Sequence, residues 1–400
     1  MKNESGLYTF HSSMEPLLPS DTSGKLEQLA IDLIKKSSFL SASMHPITRQ
    51  AVANLLRPMN SYYSNLIEGH DTHPIEINQA LNNDFSKDIA NRNLQLEARA
   101  HIKVHEEIYQ SIKIDENKIS PSSFDFIKSI HQKFYTHLPE EFKYVLLKNN
   151  ERKEVIPGEF RTTEVEVGRH IAPCSKSLDS FTERFESFYD FYKKRQIDRI
   201  IGIAASHHRL VWIHPFLDGN GRVARLYSDA CFMHEDLNSS GLWSISRGLA
   251  RTNKTYKSKL ASADSERRGD HDGRGNLSNK MLIEFCIYFL ETAIDQIEFM
   301  SKLIEPDTII SRIENFSDLM VIKDKFRPEM KHILIALFLR GKISKKEALR
   351  IANTSDKTFK ISQDLLEKLD LIKIKKEGTS VFLYTNYSIP FSSIICPGLY

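Results

Sequence analysis

The chain has few cysteines for its length, four in 400 residues, and Cys174, Cys231, Cys286 and Cys396 fall into no CxxC or other close spacing. Neither a disulfide framework nor a zinc site is indicated. Long hydrophobic runs are also missing, and no apolar stretch reaches the length that crosses a bilayer. The opening MKNESG is polar and lacks a signal-peptide pattern. The expected location is the cytoplasm, with no membrane partner. Charge of one sign is scarce: 55 Lys and Arg against 52 Asp and Glu leave a net +3, too little to mark the whole chain as a nucleic-acid binder. What remains is ordinary globular composition, 40% hydrophobic and 27% charged, with length for two or three folding units.

Chemistry concentrates in one stretch, His214-Pro215-Phe216-Leu217-Asp218-Gly219-Asn220-Gly221-Arg222-Val223-Ala224-Arg225. Ile197 to Ile213 is largely apolar and reads as a buried helix that Pro215 stops. Arg222 to Met233 is again helix-like, so Gly219-Asn220-Gly221 is the turn that opens a second helix. A helix start offers unpaired N–H groups and the positive dipole end, and glycines let a ligand come close to the backbone. Arg222 and Arg225, three apart, share a face beside that turn. Such a site favours a polyphosphate. Each residue alone has a plainer role: a capping or core histidine, turn punctuation, a solvated arginine pair. Their conjunction in twelve residues is what carries the inference.

This run resembles the signature of the Fic family, H-x-F-x-[DE]-G-N-G-R-x-x-R, with every signature position matched; the wider resemblance runs from about Ser64 to about Leu303. The resemblance implies a mainly α fold, a Fic-type helical bundle core with a β-hairpin flap. It also implies transfer of AMP from ATP to a Ser, Thr or Tyr hydroxyl of a protein, possession of the target's identity lying outside the sequence. In that reading His214 is the general base and Asp218 holds Mg²⁺. The Gly219, Asn220 and Gly221 amides, with the Asn220 side chain, form an anion hole, and Arg222 neutralises phosphate charge. The nucleotide-binding run continues through Val223 and Ala224 to Arg225, with Val211 and Tyr256 as further contacts to the nucleotide.

Tyr62-Tyr63-Ser64-Asn65-Leu66-Ile67-Glu68-Gly69 reads plainly as a helix end closed by Gly69. Beside the signature, Ser64-x-x-x-Glu68-Gly69 resembles the inhibitory motif [ST]-x-x-x-E-[GN] of Fic proteins. Glu68 is then expected to pair bidentately with Arg225, occupying the group that would hold the γ-phosphate. Further on, Pro157-Gly158-Glu159-Phe160-Arg161 is turn-like, and Val165-Glu166-Val167 alternates before Gly168, which together read as a short hairpin. The matching Fic segment is a flap that docks the target by strand addition; a hairpin with no docking role is the alternative.

The expected organisation is an N-terminal helical region over 1–115, a catalytic core over 116–305, a small domain over 320–387 and a tail over 388–400. Residues 1 to about 23 read as a loose arm packed on the surface, Pro46 as a helix start, and Ser278 as the cap of a long helix ending at Leu303. His131 and His137 are six apart, on different helical faces, and are assigned no chemistry. Asp270-x-Asp272-Gly273 lacks the spacing and terminal Glu of a calcium loop. Met330 to Arg340, Ser344 to Ala352 and Ser355 to Leu369 read as helices, followed by two strands around Glu377-Gly378-Thr379. That order resembles a small α+β winged helix-turn-helix. Residues 323–377 hold 15 Lys or Arg against 8 Asp or Glu, with Lys357 and Lys360 early on the recognition-helix position. DNA and protein both stay open as its partner, and so does an oligomer or the chain itself as the modified target. Two rival functions also stand: removal of AMP at the same site, with Glu68 orienting a water, and a nucleotide-sensing DNA-binding regulator.

Overall fold

Two consecutive helices buried on almost every face form the centre of the computed structural model, which describes residues 7–113, 119–147, 150–168, 170–190, 193–238 and 241–386. In chain order the helices are α1 (Lys25–Ala42), α2 (Pro46–Ile67), α3 (Pro74–Leu81), α4 (Ile89–Lys113), α5 (Phe124–Thr136), α6 (Leu178–Phe188), α7 (Gln196–Ile213) and α8 (Asn220–His234). They continue as α9 (Ile245–Arg251), α10 (Asn253–Ala263), α11 (Asn279–Leu303), α12 (Pro306–Ile322), α13 (Glu329–Arg340), α14 (Lys345–Ala352) and α15 (Asp356–Lys368). The strands are short: β1 (Tyr144–Leu146), β2 (Arg152–Glu154), β3 (Glu166–Val167), β4 (His170–Ile171), β5 (Lys342–Ser344), β6 (Ile372–Glu377) and β7 (Ser380–Thr385). Among the described residues no helix is long and apolar enough to cross a membrane.

The described residues fall into two compact units, one within Met1–Lys35, Asn60–Asn238 and Ser244–Gln296, the other within Lys36–Met59, Ser239–Trp243 and Ile297–Tyr400. In the first, α7 and α8 pack on each other, with α4 and α5 against α8 and α6 against α7. A helix at the centre of a bundle is covered on every side, and α7 is buried without a break from Ile200 to Leu210, its Ser206, His207, His208 and Arg209 included. The Pro46 start is found, and Ser278 Oγ does accept the Met281 N–H at 3.2 Å ahead of α11.

Of the arm expected over residues 1 to about 23, the described part, residues 7–23, is not loose. Met14 and Leu17 are buried, and the segment satisfies groups deep in the bundle. Arg209 on α7, fully buried, donates Nε and Nη2 to the Pro16 carbonyl at 3.2 and 2.8 Å, and Tyr189 donates to the Leu17 carbonyl. A buried guanidinium stripped of acceptors costs roughly 3–5 kcal/mol. The strap therefore belongs to the core. Its residues lack any periodicity, so only the partners far along the chain reveal it.

In the second unit α13, α14 and α15 are followed by the β6–β7 ribbon, paired from Ile372↔Thr385 to Glu377↔Ser380. The structure adds a strand the sequence reading lacks: β5 pairs with β7 through Ile343↔Leu383, giving the sheet order β5-β7-β6. Three residues are too few for a visible alternation. Ser344 ends that strand and caps α14, its Oγ accepting the Glu347 N–H at 3.2 Å. The tail expected over 388–400 lies outside the described residues.

Candidate active site

α7 ends where Pro215 forbids continuation, and His214 takes a left-handed conformation, φ 49° and ψ 59°. That backbone is costly for a residue with a Cβ and persists only when its surroundings hold it. Arg161 does so. Buried, it donates Nε to the His214 carbonyl at 2.8 Å and Nη2 to the Pro173 carbonyl at 2.6 Å, while its own N–H reaches the Pro215 carbonyl at 2.9 Å. Nothing in the sequence assigns Arg161 this role, and the turn-like Pro157–Arg161 segment that it ends is the available signal. The imidazole of His214 faces a cavity of about 930 Å³ shared with Glu68, Val211, Gly221, Arg225 and Tyr256. Burial, then the nearby Arg161 and His170, pull its pKa down to about 4. It is therefore neutral at ordinary pH and able to accept a proton.

The turn after His214 is pinned from below. Asn220 closes it, accepting the Phe216 N–H at 3.0 Å and donating to the Phe216 carbonyl at 2.8 Å. Its side chain thus builds the turn, a role in addition to the anion hole expected of it. His131 stacks on Phe216 at 4.1 Å and accepts the Gly158 N–H at 2.8 Å, a supporting role without proton chemistry. Gly219 caps α8 with φ 78°, and a Cβ there would meet the Tyr135 ring at 3.0 Å. The first amides of α8 have no intrahelical partner and remain available to an anion. Val223 and Ala224 are fully buried and turn their side chains to the core, because only every third or fourth residue of a helix shares the Arg222–Arg225 face.

Asp218 accepts the Tyr135 hydroxyl at 2.6 Å and Arg222 Nη2 at 3.3 Å, both on Oδ2. Burial pushes its carboxyl up, but Arg222 and the Tyr135 hydroxyl outweigh this and leave it below the usual range. Arg222 also lies over the Phe134 ring, and its buried Nη1, 3.4 Å from Glu97 Oε1, makes no hydrogen bond of normal geometry. An orphaned guanidinium N–H beside an ionised carboxylate suits a phosphate with its cation. Among the described residues no three His, Cys, Asp or Glu cluster as a metal cage. A lone carboxylate fits Mg²⁺, which binds through one or two carboxylates, substrate phosphates and waters.

Arg225 is held by the end of α2. Its Nε donates to Ser64 Oγ at 2.9 Å, and Nη2 donates to the Ser64 carbonyl at 3.0 Å and to Glu68 Oε1 at 2.6 Å. The pairing with Glu68 is single, not the bidentate one expected, because Ser64 takes Nε. Burial raises the Glu68 carboxyl, yet Arg225 and Arg222 bring it below its ordinary value, so it is ionised. A Cβ at Gly221 would sit 2.5 Å from Glu68 Oε1, so the missing side chain makes the room that Glu68 uses. Tyr256, buried, donates or accepts at His207 Nε2 over 2.8 Å, which turns its hydroxyl inward and its ring to the cavity wall. The hairpin expected from sequence forms as β3 and β4, with Glu166↔Ile171 and Val167↔His170 paired and the Val165 carbonyl accepting from Ala172 at 3.4 Å. Val167 lines the cavity; Glu166 is exposed.

A helical bundle carrying this His–Asp–Arg–Arg turn defines a class, and residues 121–231 match the family described as Fic/DOC. The chain carries a Fic domain. It is 40% identical over 76 residues to the protein adenylyltransferase Fic of Drosophila grimshawi, a match covering 19% of this chain and 16% of that protein. With the protein of the same name from Culex quinquefasciatus the identity is 41% over 76 residues, 19% and 15% of the two chains. The match therefore spans under a fifth of these relatives' length. In fold, the chain is similar to a Fic family protein from Desulfovibrio desulfuricans, at TM-score 0.53 and 13% identity, over 93% of this chain and 99% of that one. A Fic domain containing signaling protein from Bacteroides thetaiotaomicron gives TM-score 0.51 at 18% identity, over 68% and 96%.

Proposed function

We propose that this chain is a protein adenylyltransferase that moves AMP from ATP to a Ser, Thr or Tyr hydroxyl and is restrained by its own Glu68. The observation that carries the reading is a neutral His214 facing the same cavity as Gly221 and Arg225. His214 takes the proton of the incoming hydroxyl, whose oxygen bonds to the α-phosphorus as the bond to pyrophosphate breaks. Protein–O–AMP and pyrophosphate are the products, and no covalent enzyme intermediate is needed. The α8 amides of the Gly219–Gly221 turn and Arg222 hold the phosphate oxygens, and positioned donors of this kind contribute about 10²–10³ each in rate. Asp218 is the residue that would hold Mg²⁺, which when bound offsets charge on the phosphates. Glu68 on Arg225 keeps the γ-phosphate from its arginine and repels it. The hairpin's backbone offers β3 and β4 to an extended target segment.

The test follows two labels. ATP labelled at the α-phosphate should mark protein in a lysate, ATP labelled at the γ-phosphate should not, and His214→Ala should abolish the α-label while keeping the fold. Label from γ-phosphate, or α-label that survives His214→Ala, contradicts the reading. An ionised Glu68 against Gly221 also suits orientation of a water, which supports removal of AMP as a second activity; release of AMP from labelled target would then require Glu68. The helix–strand–helix–helix–ribbon order of the second unit, with Lys357 exposed, supports a winged-helix reading and DNA as a partner. Salt-dependent duplex binding lost in Lys357→Glu tests that.

A further inference from the structure

Glu68 is not the only carboxylate laid on the signature arginines. Glu97, from α4, is buried, and its Oε1 lies 3.4 Å from Arg222 Nη1. Its other oxygen, Oε2, lies 2.6 Å from His70 Nδ1. His70 stands two residues beyond Glu68, in the turn that ends α2: the Glu68 and His70 N–H groups both donate to the Asn65 carbonyl at 3.0 Å, and Gly69 between them has φ 91°. One rigid turn thus presents Glu68 to Arg225 and His70 to Glu97.

We propose that the His70–Glu97 pair is a latch that fastens the inhibitory turn to α4, and that Glu97 is a positioning residue for Arg222. The inhibitory turn then reaches both arginines of the signature, Arg225 directly and Arg222 through Glu97. The inference rests on the transferase reading for its activity consequence, but the latch itself is a matter of structure.

The charged groups facing His70 are Glu97 on α4, Arg222 on α8 and Glu68 on its own turn. The bond to Glu97 raises the His70 pKa, opposed by burial and by Arg222, and helped by Glu68. A raised imidazole pKa means the latch is fully formed below the ordinary histidine value and is lost as pH rises through the higher one. Restraint should therefore loosen on the alkaline side.

The experiment measures amide exchange of residues 64–70, corrected for intrinsic rates, together with α-label transfer, at pH 6 and pH 8.5. It uses the full chain as parent, His70→Asn and His70→Lys. Parent protection of the turn should fall by about tenfold between the two pH values, with transfer rising in step. His70→Asn should be loose at both, and His70→Lys, which keeps its cation, tight at both. Equal protection in parent and His70→Asn at pH 6 overturns the latch whatever transfer shows. Protection that behaves as stated without any transfer upholds the latch and sinks the transferase reading instead.

Discussion

The signature turn is fastened from several sides, by Arg161, His131, Tyr135 and the Asn220 amide, whereas the hairpin beside it is joined by two residue pairs and leaves Val167 47% and Ile171 38% exposed. Groups that must meet a transition state gain from being fixed before it arrives, since no reorganisation is then required. Backbone that must receive an extended segment gains from being left unpaired. On the proposed function, the difference would separate two tasks, chemistry on a rigid floor and recognition on an open edge.

Changes to the floor should cost most. His214→Ala should lower transfer by about 10²–10⁴-fold with nucleotide binding retained, read as label incorporated against nucleotide affinity. On the edge, Val167→Pro removes an N–H and should cut modification of protein targets by about tenfold or more, while ATP binding stays unchanged. Loss of ATP binding there would merge the two tasks. Tyr135→Phe removes the hydroxyl that orients Asp218 and should weaken Mn²⁺ binding, followed by electron paramagnetic resonance, by about 10–100-fold. The smallest effect concerns pH. Because His214 titrates at about 4, its neutral form persists above that value. A variant freed of Glu68 should then show a flat kcat/KM from roughly pH 6 to 8 and lose rate only as pH falls towards about 4.

The floor was the legible part. Helix, proline stop, glycine turn and helix follow one another within His214–Arg225, so local rules suffice to bring His214, Gly221 and Arg225 to one cavity. The reach from Glu68 to Arg225 came only through resemblance, because nothing local encodes a contact between residues 157 apart in the chain. The turn-closing role of Asn220 is hidden for a related cause: an amide in a turn can face ligand or backbone, and only the Phe216 geometry shows the bonds to backbone. The strap around Pro16 and the role of Arg161 were illegible because each is defined by carbonyls that any residue could supply. His70 and Glu97, 27 residues apart, form another such pair.

Self-restraint by Glu68 is tested most directly by comparing transfer from α-labelled ATP in the parent and in Glu68→Gly, at saturating nucleotide and below pH 7, where the turn is latched. The freed Arg225 should raise the rate by about tenfold or more, as expected when one charge-assisted contact of this kind is removed. Equal rates in the two proteins, with both folded and nucleotide-bound, would contradict it.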